Sequence, residues 1–495
     1  MNINIPFVDA FLNRVTMYRL VLWHLVALNA AAFVLSFFDL FSFTPWELLF
    51  SFFLITAACW ASNEAIARFF KAIPNTESVY ITAFILVLIL NPVPFNDVKG
   101  ASMLVLASVV AMASKYILAI NKKHLYNPAA LGVAVTGVGF GTYASWWVGG
   151  TLSLLPIVLI GGLLIIRKVQ RFDQFWVFSL IVLGSVAIKF LPHNPFDSIW
   201  QTILHSSLLF FVSVMLTEPL TSPITRMHRM IYAAIVAFLF IPGTQIAGFY
   251  FSPESALLIG NIYAYVVSPK VRRVLTLTQH KQIAKDVYEF VFTSNKPFTF
   301  KPGQYLEWTL GHKNPDQRGN RRYFTIASSP TENEVRLGIK TYEPASTFKK
   351  ALLELEPGQT LSVGQLSGEF ILPRDPGRKL AFIAGGIGVT PFRSMIQYMV
   401  DTGEKRDAIL LYSTKSEDEL AYKDVFAEAE EKVGLKTYYG RSITTEELVR
   451  EVPDYKDRVF YLSGPRGMVV AFEKTLKQLG VHNRNIKVDF FPGFV

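Results

Sequence analysis

The chain has 495 residues, of which 51% are hydrophobic and only 17% charged, with a mean hydropathy of +0.32. Its length would accommodate three or four ordinary domains, but this composition excludes a soluble multidomain enzyme and points to a membrane protein. The net charge of +10 does not describe a nucleic-acid binder, because the basic residues of the first half lie between apolar runs and not in one stripe. The single cysteine, Cys59, excludes thiolate-held iron–sulfur clusters, cysteine zinc sites and internal disulfides, and no metal site is expected.

Charge divides the chain. Residues 1–270 hold 15 Lys/Arg and 10 Asp/Glu, whereas residues 271–495 hold 33 and 28. The expected organisation is a transmembrane domain at 1–270, a small β-barrel domain at 271–375 and an α/β nucleotide-binding domain at 376–495. In the first part, apolar runs predict ten spanning helices at about 18–38, 46–64, 78–91, 101–120, 127–141, 149–166, 175–191, 199–217, 230–247 and 254–268, the fifth and tenth short and opened by proline. The first run is too long for a cleaved signal peptide. Arg14, Arg19, Arg68, Arg167, Lys168, Arg171, Arg226 and Arg229 fall on one side of these spans, and Lys99 and Lys189 on the other. The positive-inside rule then places both termini in the cytoplasm of a multi-pass inner-membrane protein.

Aligning prolines exposes an internal repeat: Leu90-Asn91-Pro92 corresponds to Thr217-Glu218-Pro219, and Asn127-Pro128 to Ser252-Pro253. Five spans per copy is an odd number, so the copies cross the membrane in opposite senses and their interrupted helices meet inside it. Thr217, Glu218, Thr221 and Asn127 are the candidates there to hold a cofactor with freed backbone groups. Glu218, an acid at a helix break, also suits an interfacial cap or a proton relay. His24 and His205 are the histidines placed inside spans, too few for the paired-histidine haems of ferric reductases.

The order of Leu125-Tyr126-Asn127-Pro128-Ala129-Ala130, Gly161-Gly162-Leu163-Leu164-Ile165-Ile166-Arg167-Lys168 and Leu216-Thr217-Glu218-Pro219-Leu220-Thr221-Ser222-Pro223 resembles the FMN-carrying membrane subunits of Rnf electron-transport complexes and of the sodium-pumping NADH:quinone reductase. That resemblance, over about residues 10–268, implies two inverted repeats, a bound flavin and transmembrane electron transfer. Those subunits attach FMN to a threonine in a Ser/Thr-Gly-Ala-Thr sequence, which is missing here. FMN or riboflavin held without a covalent bond is therefore the expectation.

From about Val274 short alternating strands predict the barrel. In Arg322-Tyr323-Phe324-Thr325, Arg322 and Phe324 share a face, so a charge and an apolar plane meet a ligand together while Thr325 offers a hydroxyl. Ser346 and Thr347 precede an expected helix at 348–355 and supply an anion site. After a turn-rich linker, the strand Leu380–Ala384 leads into Gly385-Gly386-Ile387-Gly388-Val389-Thr390-Pro391, a turn that lets backbone approach a pyrophosphate at a helix N-terminus. A second strand ends in Ser463-Gly464-Pro465, and Lys415 follows the strand Ala408–Tyr412, a place that the resemblance given next implies meets the adenosine ribose, where a cation suits a 2′-phosphate. Glu417, Asp418 and Glu419 beside it favour NADH instead.

These motifs, in this order, resemble the ferredoxin-NADP reductase family over residues 271–495. The resemblance implies FAD on the barrel, with Arg322 at the pyrophosphate, Tyr323 or Phe324 on the flavin, Thr325 near N5 and Ser346 and Thr347 completing the phosphate site. It implies NADPH or NADH held by Gly385, Gly386, Gly388, Thr390, Pro391, Gly464 and Pro465, with Ser463 in place of the usual cysteine near the nicotinamide. Asp489, Phe490 and Phe491 match the family's closing acid and aromatics. Thr325, Ser463 and Asp489 are the catalytic candidates. The expected function is an oxidoreductase passing electrons from cytoplasmic NAD(P)H through FAD to a membrane-domain cofactor, then to a quinone or an extracytoplasmic acceptor protein. A redox-driven Na⁺/H⁺ transporter and a haem ferric reductase are the alternatives.

Overall fold

A computed structural model describes residues 6–70, 76–120, 123–141, 144–191, 194–268, 272–316 and 319–489, and the chain divides into two compact units on either side of residue 268. The first is helical: α1 (Pro6–Arg14), α2 (Met17–Leu35), α3 (Pro45–Phe69), α4 (Thr76–Ile89), α5 (Val98–Ile117), α6 (Pro128–Phe140), α7 (Leu155–Val169), α8 (Phe172–Lys189), α9 (Pro195–His205), α10 (Arg226–Phe240) and α11 (Pro253–Val267). Prolines stand at the first turn of α3, α6, α9 and α11, where the missing N–H costs nothing. Asn127 and Ser252 cap α6 and α11 through their side chains.

Each of the ten apolar runs contains helix, but ten full spans do not follow. Among the described residues five helices are long and apolar enough to cross a membrane: Met17–Phe38, Pro45–Phe69, Val98–Ile117, Leu152–Val169 and Phe172–Lys189. The expected span 199–217 is broken: α9 ends at His205, and the chain resumes at Leu208–Met215 after a 61° bend. The cause is local and tertiary together, since Ser206 turns its hydroxyl back to Thr202 O, and Gly149 lies so close to Ser207 that a Cβ there would sit 2.5 Å from its Cα. His205 therefore ends a helix and does not lie within a span. Residues Phe211–Met215 then form a π-helix, a widened turn directly before Thr217-Glu218-Pro219. α4 and α6 are apolar but short, and α10 and α11 have 15 residues each, roughly 22 Å of helix. Trp23, Phe53, Trp60, Trp176, Leu180 and Val266 are exposed on this unit, more apolar surface than water tolerates on a monomer.

At the α4 end, Ile89 O accepts from Ser145 N and Trp146 N, and the Trp147 indole donates to Val87 O and Leu90 O. Residues 145–147 thus satisfy the carbonyls that the break leaves without helical donors. At another place the basic residues gather: Arg167 pairs with Asp9, Arg229 with Asp173, Arg171 donates to Pro223 O and Lys168 to Leu12 O.

The second unit has two layers of sheet structure. Strands β1 (Arg272–Ala284), β2 (Val287–Ser294), β3 (Tyr305–Thr309), β4 (Arg321–Thr325), β5 (Val335–Lys340) and β6 (Thr360–Ser367) form an antiparallel sheet in the order β4-β3-β6-β1-β2-β5. Its ends approach, Ala327 N donating to Arg336 O at 2.8 Å, around a core containing Phe290, Phe292, Trp308 and Phe348. The helix expected at 348–355 is α12 (Thr347–Leu353). Beyond it, β7 (Leu380–Gly385), α13 (Thr390–Thr402), β8 (Ala408–Ser413), α14 (Lys423–Val433), β9 (Lys436–Gly440), α15 (Thr445–Glu451), β10 (Val459–Ser463), α16 (Arg466–Gln478) and β11 (Ile486–Val488) build a parallel sheet in the order β9-β8-β7-β10-β11. Its three central strands, β8, β7 and β10, are buried on both faces, as their apolar runs require.

Candidate functional site

Strand order reverses between β7 and β10, and at such a switch point the turns after the two strands diverge to leave a crevice at their carboxyl ends. Both turns are glycine-rich for measurable reasons. A Cβ on Gly388 would lie 2.5 Å from Gly464 N and Cα, and one on Gly464 would lie 2.9 Å from Gly385 Cα. Gly386 has φ +53° with open space where a Cβ would project. The structure thus brings Gly385, Gly386, Gly388, Gly464 and Pro465 together at the start of α13, whose first residues are Thr390 and Pro391.

Ser463, the last residue of β10, donates through Oγ to Asp489 Oδ2 at 3.1 Å, and Asp489 N is held by Leu462 O. Desolvation pushes the Asp489 carboxyl up to about 7, the Ser463 hydroxyl offsetting part of the effect. Phe490 and Phe491, expected beside this acid, lie outside the described residues. Lys415 is exposed after β8, where Thr414 N donates to Gly440 O of β9; this strand pairing also brings up Arg441, exposed on the next loop. Two of the acids that favoured NADH are engaged elsewhere, Glu419 pairing with Lys340 of β5 at 2.6 Å and Asp418 with Lys285, while Glu417 is exposed and pairs with Lys423 at 3.3 Å.

On the barrel, Arg322 is buried, its guanidinium 5.2 Å from the Phe348 ring and bonded to both oxygens of Asp316 at 2.9 and 3.2 Å. Phe324 reaches the same Phe348 ring at 5.9 Å, so the strand alternation does place Arg322 and Phe324 on one face. Tyr323 is on the other, its hydroxyl within hydrogen-bond distance of Glu307 Oε2 and Gln365 Oε1 and its ring packed against Tyr305. Thr325 is buried opposite Tyr305 in the ladder. Ser346 caps α12, and the Thr347 hydroxyl accepts from Asp316 N at 2.9 Å and lies 3.0 Å from His312 Nε2. The two barrel motifs therefore meet through Asp316 and Thr347. Asp316 and His312 were missed in the sequence, where neither belongs to a recognisable motif.

The helical unit holds a third cluster. Glu218 Oε2 accepts from Asn127 Nδ2 at 2.8 Å and from Thr221 Oγ1 at 2.9 Å. Asn261 of α11 accepts from Asn127 N and donates to Thr221 O and the Tyr232 hydroxyl. Of the four sequence candidates, Asn127, Glu218 and Thr221 share one network, whereas Thr217 turns its hydroxyl to Ser213 O. Asn127, Thr217 and Glu218 line a partly open cleft whose other walls include Tyr18, Ile81 and Val214. Lys115, from the last turn of α5, lines it too; it went unnoticed in the sequence although a lysine within an apolar run is itself a signal. A second carboxylate, Glu254, is 1% exposed at the start of α11 and accepts from the Trp146 indole at 3.1 Å.

Comparison with known proteins bears on the second unit. Residues 274–371 match the oxidoreductase FAD-binding domain family, and residues 382–474 the oxidoreductase NAD-binding domain family. The C-terminal half thus carries an FAD-binding and an NAD-binding domain of oxidoreductase type. Two flavohemoproteins are similar to it, one from Oceanobacillus iheyensis, 27% identical over 39% of this chain and 52% of that protein, and one from Candida albicans, 29% identical over 43% and 58%. The chain spans about half the length of the curated relatives it matches. Among solved structures, the FAD/NAD-binding domain of a nitric oxide dioxygenase from Vibrio cholerae is 19% identical, with a TM-score of 0.40 over 44% of this chain and 98% of that one. The cytochrome b5 reductase domain of Ulva prolifera nitrate reductase gives 19%, 0.40, 45% and 98%. By its two family matches, an NAD(P)H-dependent FAD oxidoreductase module occupies this half of the chain.

Proposed function

We propose that the chain is a membrane-bound flavoprotein oxidoreductase that passes electrons from cytoplasmic NAD(P)H through FAD to a cofactor in its helical half, and from there to a quinone or an extracytoplasmic acceptor. The observation that carries this reading is the presence, in one chain with an FAD/NAD module, of a helical unit whose interrupted helices bring Asn127, Thr217 and Glu218 to the wall of one cleft, with Thr221 donating to Glu218. The resemblance of this half to the Rnf and sodium-pumping quinone reductase membrane subunits, with ten helical segments in inverted repeats, belongs to the proposal, as do the boundaries 1–270, 271–375 and 376–495.

The residues present fit the groups assigned to them. FAD, when bound, accepts hydride from the nicotinamide and releases electrons one at a time. Arg322 supplies its charge to the FAD pyrophosphate, already oriented by Asp316, and Thr347 adds a hydroxyl at the same place. Phe324, on the face of Arg322, offers the flavin an apolar plane, Ser346 fixes the start of α12, and Thr325 stands as the hydroxyl near N5. The open space above Gly386 and the start of α13 receive the dinucleotide phosphates, while Gly385, Gly388 and Gly464 let the two turns close on each other. Ser463 and Asp489 border the nicotinamide, Asp489 holding the Ser463 hydroxyl in place. With Glu417, Asp418 and Glu419 paired to Lys423, Lys285 and Lys340, Lys415 and Arg441 are the cations assigned to a 2′-phosphate, and NADPH is the proposed donor.

In proteoliposomes given NADPH on the side of the FAD module, an impermeant acceptor on the opposite side is reduced, and Glu218→Ala or Thr221→Ala lowers that rate while ferricyanide reduction by the module continues. If the full-length protein carries no cofactor beyond one FAD, the membrane relay fails and redox-driven ion transport takes its place.

A further inference from the structure

The polar groups around the cleft leave a specific remainder once their hydrogen bonds are counted. The Lys115 ammonium has three N–H donors; two are taken by Ser78, its carbonyl at 2.7 Å and its hydroxyl at 3.0 Å, which leaves one. Glu218 receives both of its side-chain hydrogen bonds on Oε2, from Asn127 and Thr221, and Oε1 has no partner among the described residues. Both side chains line the same cleft, one from the last turn of α5 and the other from the break after the π-helix. The Asn127 amide is saturated, its Oδ1 accepting from Ala130 N. Met17, Val21, Ile81, Ile85, Ile165 and Val214 give the walls apolar surface, with Tyr18, Thr82 and His124 as further polar lining. The cleft therefore offers a bound group a donor from Lys115 and an acceptor from Glu218.

We propose that Lys115 and Glu218 together read a cyclic imide edge, a ring carbonyl beside a ring N–H, with Lys115 donating to the oxygen and Glu218 Oε1 accepting from the nitrogen. This rests on the membrane-flavin reading above and deepens it. The pyrimidine end of an isoalloxazine presents that pair, whereas a quinone presents two acceptors and no donor, leaving Glu218 Oε1 unsatisfied inside the bundle. Recognition through the ring edge also needs no phosphate and no covalent link.

The test is equilibrium dialysis of FAD-saturated, full-length protein in detergent against radiolabelled riboflavin, with unlabelled N3-methylriboflavin and a short-chain quinone as competitors. Methylation removes the N–H that Glu218 accepts, so N3-methylriboflavin should compete about ten- to a hundredfold more weakly than riboflavin, the loss expected for one hydrogen bond to a charged group. Lys115→Met should weaken riboflavin by a comparable factor and Lys115→Arg should restore most of it. The use of unmodified protein with the methylated analogue keeps the test valid if Lys115→Met does not fold. Equal competition by riboflavin and N3-methylriboflavin, or by the quinone, overturns the edge assignment and leaves the membrane flavin standing. Absence of any riboflavin binding, with one FAD per chain, overturns the membrane-flavin reading itself.

Discussion

The contact between the two glycine turns gives a sharp steric expectation. In Gly388→Ala the new Cβ would lie 2.5 Å from Gly464 N and Cα and 2.6 Å from the Ser463 carbonyl carbon. All three are backbone atoms, so no side-chain rotation relieves the clash, and ordinary carbon contacts begin at about 3.5 Å; the turns must part by roughly 1 Å. Overpacking on that scale costs roughly 1–3 kcal/mol. Because the displaced backbone forms the crevice at the ends of β7 and β10, the cost should fall on the dinucleotide. NADPH should bind about five- to 150-fold more weakly, seen as a raised KM and slower FAD reduction in stopped-flow absorbance, with FAD content unchanged because the barrel is untouched. Gly386→Ala introduces a side chain at φ +53° but into open space, so it should lose only about 1–2 kcal/mol of backbone energy. Gly311→Ala, with open space and no positive φ, should change neither quantity. Wild-type KM and reduction rate in Gly388→Ala would refute the placement of the dinucleotide at this crevice.

Arg322→Ala should cost about one to two decades of FAD affinity, while Asp316→Asn, which frees the guanidinium from its carboxylate, should hold FAD as tightly or more tightly; gel filtration followed by acid extraction measures both, and equal loss in the two variants argues against Arg322 as the phosphate contact. Asp489, an acid whose folded pKa of about 7 exceeds the unfolded value of 3.8, destabilises the fold once ionised, so its penalty is absent below about pH 4, grows as pH rises to 7 and is constant above. Asp489→Asn should therefore gain stability over wild type only as pH rises through that window, with a ceiling of about 4 kcal/mol that solvent contact at this half-buried side chain reduces to about 1–2 kcal/mol; a gain equal at pH 4 and pH 8 contradicts the assignment. Lys415→Glu combined with Arg441→Ala should lower the NADPH/NADH ratio of kcat/KM at least tenfold, and an unchanged ratio removes both residues from nucleotide selection.

Legibility in the sequence followed how local each constraint is. Gly386 and the turn around it were readable because backbone conformation there depends on the residue itself, and Arg322 with Phe324 because strand alternation needs no knowledge of the fold. Tyr323 and Phe324 stood as alternatives until the neighbours were known: Phe348 claims one face, Glu307 and Gln365 the other. Asp316 escaped notice, and Glu419 was read toward the nucleotide, because their partners, Arg322 and Lys340, are chosen by the path of a loop and by the meeting of barrel and α/β domain, neither of which leaves a periodic trace.

In the helical half the limit is more severe, since helices apolar on every side carry no phase information. Lys115 and Asn261 could be counted but not aimed, because nothing in their flanking residues says which neighbour they face; the structure shows Lys115 on Ser78 and Asn261 on Asn127, Thr221 and Tyr232. Proline, which does mark a place, located the breaks correctly at Asn127-Pro128 and Ser252-Pro253, yet the bend after His205 came without one, from serines and a close glycine. α11 then connects two of these breaks: Glu254 and Asn261 are seven residues apart, hence on one face and about 10 Å apart along the axis. One end of that face meets Trp146 and the other meets the Asn127–Glu218 network. A polar group at either break is tolerated in an apolar bundle only because the interrupted partner helix supplies its hydrogen bonds, so substitutions at Asn127 or Trp146 should disturb Glu218 or Glu254 before they disturb the helices that carry them.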